Sequence, residues 1–157
     1  MKTNEYTIDK NIWTEKDFDQ MDWHDNAIHS LSFRRKDEHA KGDILFDIDY
    51  ILKWVTPIDK GQIFFWVAPC TLLFHDSFDL DINIKTNEFF LSVKEVNGIE
   101  LTEKTPDLVG GFVYSWTIDL LIGHIKFKSS GFTQTLRAKP IYTNSKCLTM
   151  DERAIVN

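Results

Sequence analysis

The sequence predicts an all-β domain of mainly antiparallel strands, folded as a β-sandwich or as a closed β-barrel. Two observations support this prediction: long stretches alternate between apolar and polar residues, and aromatic residues make up 13% of the chain. Period-two alternation is the pattern of a half-buried strand, and flat aromatic side chains fit a pleated surface. At 157 residues the chain suits one domain with a sizeable core, so we expect a single domain over residues 1–157.

The pattern indicates about nine or ten short strands preceded by a short N-terminal helix. The helix is predicted to begin at Thr14, whose hydroxyl can accept from an orphan amide, and to end near Met21. The spacing of Thr149 and Glu152 matches a capping box near the C-terminus, with few residues after it for a helix. Strands are predicted at residues 27–35, 44–54, 63–67, 71–75, 78–85, 89–93 continuing into 94–96, 99–101, 112–118, 125–127 and 132–136.

Glycine and proline residues mark the predicted turns. Asn97-Gly98 is the strongest hairpin signal, because both central positions of a type I′ turn require positive φ, and it predicts a hairpin that joins residues 94–96 to 99–101. Pro69 predicts a bulge or bend inside an apolar strand, since proline cannot donate to the ladder. A turn is expected at residues 57–61, and a long loop at residues 103–111.

Charge and composition exclude several classes of function. The chain carries 18 basic and 24 acidic residues, for a net charge of −6, so it lacks the basic footprint of a nucleic-acid-binding protein. An acidic balance permits a basic protein partner. The longest apolar stretch, residues 63–74, contains a proline and is shorter than the roughly 20 residues that span a bilayer, so no membrane association is expected.

The two cysteines, Cys70 and Cys147, are far apart and form no CxxC pair. A disulfide framework and a zinc ribbon are therefore not expected, and Cys70 is interpreted as a buried thiol in an apolar run. The polar N-terminus lacks the apolar core of a signal peptide. We expect a cytoplasmic protein, and the sequence predicts no cofactor and no metal site.

The most suggestive polar cluster is Trp23-His24-Asp25, followed by His29. An imidazole beside a carboxylate can act as an oriented base or as a metal ligand. Adjacent strand residues point to opposite faces, however, so His24 and Asp25 need not share a site. We favour a structural interpretation, in which Asp25 or Asn26 caps a turn, His24 bonds a backbone carbonyl and Trp23 plugs the end of the barrel. The alternatives are a role in binding a ligand or partner, and catalysis or metal binding. His29 lies on an apolar face and is predicted to point to the core.

A second pair, His75-Asp76, ends a predicted strand and is interpreted as a turn. If the two His-Asp pairs met in space, they would form a candidate metal or acid–base site. Asp47 and Asp49 alternate along another strand, and we interpret them as part of a solvated face that guards against edge-to-edge aggregation; the alternative is an acid–base pair. The sequence assigns no catalytic residue.

Several segments together resemble a bacterial family of single-domain proteins with no assigned activity. The resemblance rests on residues 23–29, 47–54 and 65–72 and on Gly131-Phe132-Thr133-Gln134, and it covers most of the chain. More distantly, the step Trp23-His24-Asp25 is similar to one in small immunity proteins of bacterial toxin systems. The second resemblance implies a protein-binding role.

These observations favour a non-enzymatic, immunity-type protein that binds a protein partner by surface complementarity. Two features motivate this hypothesis: the acidic charge and the lack of standard catalytic motifs such as a P-loop, HExxH or GxSxG. The alternative is a small-ligand β-barrel, or an enzyme with a His-Asp site at the barrel mouth. That alternative predicts a cavity of about 300 Å³ or more with Trp23, His24 and Asp25 at its rim. The sequence leaves the oligomeric state open.

Overall fold

The computed structural model describes residues 5–36, 41–56, 61–87 and 94–154. It confirms the mainly antiparallel all-β prediction, with ten strands and two short helices. The strands are β1 (Ile12–Thr14), β2 (Ala27–Arg35), β3 (Gly42–Val55), β4 (Phe64–His75), β5 (Phe78–Ile84), β6 (Lys94–Pro106), β7 (Phe112–Leu120), β8 (Gly123–Ser129), β9 (Gly131–Leu136) and β10 (Ile141–Thr143). A 3-10 helix spans Glu15–Gln20, and α1 spans Met150–Arg153.

All ten strands belong to one sheet, in the order β1-β9-β4-β3-β2-β6-β7-β8-β5, with β10 paired to β4. Among the described residues β1 and β5 do not pair with each other, so the sheet stays open and does not form a closed barrel. Instead the curled sheet packs its own two halves together, as in a sandwich. β5 is therefore an edge strand whose described pairing is with β8 alone.

Both predicted helix caps are present. The Thr14 hydroxyl accepts from Lys16 N, and the Asp17 carboxylate accepts from Thr14 N at 2.9 Å, which completes a capping box for the 3-10 helix. The Thr149 and Glu152 side chains make the same reciprocal bonds at the start of α1. Each cap satisfies amide groups that have no partner inside the helix.

Aromatic side chains fill the interior between the two halves of the sheet. Phe74 on β4 lies 4.7 Å from Phe127 on β8 and 5.4 Å from Trp116 on β7, measured between ring centroids. Phe132 on β9 closes the group at 5.7 Å from Trp116. These rings are almost fully buried, so they form the centre of the core.

The predicted hairpin at Asn97-Gly98 is wrong. β6 runs straight through both residues, and the register with β7 shifts between Val96 and Gly98, which marks a β-bulge. Pairing with β7 on both sides of the bulge keeps the chain extended, and Gly98 does not adopt positive φ. The reversal lies further on, between Pro106 and Phe112, so the first four residues of the predicted long loop, 103–106, belong to β6.

The bulge expected at Pro69 is also absent, since β4 keeps its register with β3 through that residue. The irregularity lies on the opposite strand, between Ile51 and Lys53. On its other side β4 pairs with β10 up to Val67 and with β9 from Cys70 onward, so Pro69 occupies the gap between two neighbours. Four of the five residues of the predicted turn at 57–61 lie outside the described residues, as does all of the predicted strand segment at 89–93.

The β7–β8 turn gives a direct test of how β5 is attached. A Cβ atom added at Gly123 would lie 1.8 Å from the Asn83 carbonyl oxygen of β5, and Gly123 has φ of 149°. We expect Gly123→Ala to lower the free energy of unfolding by about 1–3 kcal/mol, because the backbone must strain or β5 must separate. Urea unfolding followed by tryptophan fluorescence measures the loss.

Gly98→Ala is the matched control for that substitution. A Cβ atom there meets nothing within 4 Å and the backbone is ordinary, so we expect a change below about 0.5 kcal/mol. Equal stability of the two variants would contradict the close approach of β5 to the turn.

Candidate functional site

Trp23 is part of the packed core. Its side chain is buried, its ring centroid lies 5.8 Å from that of Phe132, and its Nε1 donates to Gln134 Oε1 at 2.8 Å. A buried indole needs such an acceptor for its N–H. Trp23 therefore packs inside the sheet, and because the sheet is open it does not plug the end of a barrel.

His24 and Asp25 form a turn at the surface. The His24 side chain is 56% exposed, its Nδ1 contacts the Asn97 carbonyl oxygen at 3.1 Å, and its Nε2 lies 3.7 Å from Asp25 Oδ1. Asp25 has φ of 64°, in the left-handed region, which aspartate tolerates in turns. Its carboxylate bonds Lys146 Nζ at 2.8 Å, and this hydrogen bond raises the pKa of Lys146. The ion pair between Asp25 and Lys146 thus joins the turn before β2 to the segment after β10.

The second pair lies elsewhere on the sheet. His75 Nε2 contacts Thr133 Oγ1 at 2.7 Å, and Asp76, with φ of 49°, bonds Lys36 Nζ at 3.2 Å. The positions at which the two pairs adjoin β3 are five residues apart. Ala27, two residues after Asp25, aligns with Asp49 on β3, whereas Phe74, which precedes His75, aligns with Ile44. Five residues of strand span about 17 Å, so the two His-Asp pairs do not converge.

His29 does meet other chemically active side chains. Its Nε2 lies 2.7 Å from Asp49 Oδ2 on β3 and 3.8 Å from Cys147 Sγ, in the segment after β10. The prediction that His29 points inward holds in part, since its side chain is 13% exposed. The sequence did not indicate that it joins Asp49 and Cys147, which approach only in the folded chain.

Asp49 corrects the prediction of a solvated acidic face, because its side chain is fully buried. Burial of a carboxylate requires charged partners and hydrogen bonds. Arg153 of α1 binds Asp49 Oδ1 and also binds Asp47, while Leu148 N donates to Asp49 Oδ2 at 2.8 Å. Arg137 adds a second cation on Asp47. These carboxylates therefore anchor the C-terminal segment to β3.

Two open grooves on the surface have walls that do not include Trp23, His24 or Asp25, although Lys146 on the wall of the first binds Asp25. An open groove of about 590 Å³ runs beside Ile63, Glu95, Lys146 and Cys147. Another, of about 340 Å³, lies beside Tyr6 and Trp66 on the outer side of β4. Only the first reaches a cluster with reactive chemistry, because Cys147 lies on its wall.

The geometry around His29 does not match a nucleophilic triad. In such a triad one imidazole nitrogen faces the nucleophile and the other faces the carboxylate, whereas here Cys147 and Asp49 both face Nε2. Burial also raises the pKa of the Cys147 thiol, and the neutral thiol is a poor nucleophile. The arrangement suits a shared proton or a shared cation better than covalent catalysis.

Cys70 yields a prediction about alkaline pH. Burial raises the pKa of its thiol from 9.0 to about 12. Above pH 9 the unfolded chain releases this proton while the folded chain keeps it, so the free energy of unfolding falls as pH rises toward 12. The slope from one such group reaches at most about 1.4 kcal/mol per pH unit. Burial likewise raises the pKa of Tyr50 from 10.0 to about 12, which adds a loss above pH 10.

Urea unfolding of the wild type and of Cys70→Ala at a series of pH values above 9 isolates this thiol, because Cys147 and Tyr50, whose pKa values burial also raises, are present in both proteins. We expect Cys70→Ala to have a shallower alkaline slope than the wild type. An identical slope in both proteins would show that Cys70 ionises as readily in the folded chain as in the unfolded one.

Comparison of the chain with known protein families, with curated proteins and with solved structures finds no match. Neither helix within the described ranges is long and apolar enough to cross a membrane. The functional conclusion therefore depends on the surfaces and clusters of this chain.

Proposed function

We propose that this domain is a non-enzymatic, immunity-type binding protein. It would engage a basic protein partner through β5. The supporting observation is an exposed apolar surface at the edge of the sheet, which we call the β5 patch. Its members are large apolar side chains that a monomer would ordinarily bury. They are Phe33 (65% exposed), Phe78 (50%), Leu80 (40%), Ile82 (43%) and Ile84 (40%).

The β5 patch is continuous across two strands at one end. Phe33 of β2 lines the same shallow hollow, of about 130 Å³, as Phe78 and Leu80 of β5. Contiguous apolar surface of this kind marks interaction sites on soluble proteins, whereas scattered single residues do not. A hollow between aromatic and aliphatic side chains also offers a seat for an anchoring side chain of a partner.

Exposed carboxylates lie on the same edge strand as the patch. Asp79 and Asp81 alternate with the apolar residues, and their side chains are 67% and 68% exposed. With a net charge of −6, the domain would attract a basic partner and orient it before contact.

The same carboxylates disfavour a second copy of the chain as the partner. If two β5 strands paired antiparallel about Asp81, two carboxylates would lie directly opposite each other, which is destabilising. The register shift between Phe78 and Asp81 and the φ of 56° at Asp79 further distort this edge, and such bulges discourage strand pairing. The partner is therefore expected to contact the side chains of the patch.

This proposal is preferred to the small-ligand barrel because the described interior is filled by aromatic side chains and Trp23 packs among them. The domain is proposed to work in the reducing cytoplasm, where thiols such as Cys70 and Cys147 stay unpaired. The oligomeric state is not part of the proposal.

A substitution on the patch tests the proposal. The tagged wild-type chain is used to capture proteins from the organism that carries it, and the captured partner is purified for calorimetry with each variant. We expect Leu80→Glu to weaken binding at least about 30-fold, the loss typical of an interface hot spot. Asp81→Lys is expected to slow association and to reduce the dependence of binding on salt.

Leu108→Glu serves as the control. Leu108 is fully exposed in the β6–β7 turn, and its substitution introduces the same charge as Leu80→Glu. We therefore expect Leu108→Glu to bind the partner with unchanged affinity. The proposal fails if no protein partner is retained by the wild type, or if Leu80→Glu and Leu108→Glu bind a retained partner equally well.

A further inference from the structure

Three different metal-binding side chains meet beside β2. We call His29, Asp49 and Cys147 the His29 cluster; their ligand atoms all lie within 4.8 Å of one another. His29 comes from β2, Asp49 from the paired strand β3, and Cys147 from the segment after β10. The sheet and the anchored C-terminal segment thus hold the three donors in place.

We propose that the His29 cluster is a binding site for a zinc-like divalent cation. Imidazole, carboxylate and thiolate are the ligands that Zn²⁺ takes in proteins, at about 2.0–2.3 Å. Donor atoms around a tetrahedral ion with such bonds stand roughly 3.2–3.6 Å apart. The observed separations from His29 Nε2 are 2.7 Å to Asp49 Oδ2 and 3.8 Å to Cys147 Sγ, and all three donor atoms lie within 4.8 Å of one another, so side-chain adjustments of about an ångström bring them to these distances.

The shared contact of His29 Nε2 supports a cation at this position. Asp49 and Cys147 both face that nitrogen, an arrangement that a triad does not use and that three ligands around one ion require. On binding, the cation would take the place of the hydrogen bond between His29 and Asp49, and the Cys147 thiol would lose its proton to solvent. His29 would release its Nε2 proton to solvent and take one up on Nδ1, which leaves the Nε2 lone pair free for the cation.

The surroundings of Asp49 are those of an oriented metal ligand. Arg153 binds the far oxygen, Oδ1, and Leu148 N donates to Oδ2 at 2.8 Å. Such partners fix a ligating carboxylate in one orientation. Arg153 also binds Asp47, and this second carboxylate offsets the positive charge that would otherwise repel a cation.

Cys147 opens the cluster to solvent. It lies on the wall of the open groove beside Glu95 and Lys146, which gives an ion access. With three protein ligands, the fourth position faces solvent and would hold water, as in open zinc sites. This inference is independent of the β5 patch, which shares no residue with the His29 cluster.

Cobalt is the probe for the test, because Co²⁺ occupies zinc sites and a thiolate ligand gives it a near-ultraviolet charge-transfer absorption. The reduced full-length chain is titrated with Co²⁺ and then with Zn²⁺. We expect a band that saturates at one equivalent and that Zn²⁺ bleaches. Cys147→Ser is expected to abolish the band, and His29→Gln to weaken cobalt binding by more than the roughly 10–100-fold typical of outer partners.

Cys70→Ala is the matched control, since Cys70 is fully buried in β4 outside the cluster. It should keep the full cobalt band. In thermal unfolding, excess Zn²⁺ should raise the Tm of the wild type and of Cys70→Ala, but not that of Cys147→Ser. Circular dichroism confirms that each variant is folded. The site is refuted if the wild type gives no band in excess Co²⁺, or if the band survives Cys147→Ser.

Discussion

Arg153→Ala is expected to lower the free energy of unfolding by about 3–5 kcal/mol, because it leaves a buried carboxylate without its cation. The Arg153 side chain is 8% exposed and binds both Asp47 and Asp49, and the Asp49 side chain is fully buried. Asp47 keeps Arg137, so the loss falls chiefly on Asp49. Equilibrium urea unfolding measures the change.

The control for this substitution is Lys128→Ala on β8. Lys128 pairs with Asp79 at 3.2 Å, and both side chains are well exposed. Solvent screens such a pair, so we expect a loss below about 1 kcal/mol. If the two alanine variants were equally stable, Asp49 could not be the buried, Arg153-dependent group that the structure describes.

Phe74→Ala alone is expected to lower the free energy of unfolding by about 3–5 kcal/mol relative to the wild type, because it leaves a cavity in the middle of the core. Phe74 is 1% exposed, and its ring contacts aromatic rings from β3, β7, β8 and β9. That loss is a large share of the about 5–15 kcal/mol that stabilises a typical domain. Urea unfolding and near-ultraviolet circular dichroism report the loss of stability and of packing.

Phe33→Ala removes the same side chain from the surface. Phe33 is 65% exposed, so we expect its effect on stability to stay within about 0.5 kcal/mol. The same variant should weaken binding of a partner at the β5 patch. A stability loss in Phe33→Ala that matched the loss in Phe74→Ala would mean that Phe33 is buried and that the β5 patch is smaller than described.

The strands could be predicted because their signal is local. Alternation along residues 27–35 and 44–54 gave β2 and β3 nearly to their ends. The turn signal at Asn97-Gly98 misled, because the pairing of β6 with β7 outweighs the local preference of two residues. Whether the sheet closes was beyond reach of the sequence, since it depends on strands far apart in the chain.

The His29 cluster was hidden for the same reason. His29 and Asp49 were both noticed, but on separate strands whose pairing the alternation does not specify. Leu148 N reaches Asp49 across 99 residues of sequence, and Arg153 reaches it across 104. Burial of Asp49 depends on those distant partners, so a pattern of alternating acids could not distinguish it from the solvated Asp79 and Asp81.

The strand order also determines when the domain can be completed during its synthesis. Ile12 of β1 aligns with Thr135 of β9, and β9 pairs with β4. A ribosome releases the chain from its N-terminus, so β1 and one edge of the apolar strand β4 must wait for residues 131–136. Non-local pairing of this kind slows folding, and the nascent chain is expected to need chaperone protection until β9 emerges.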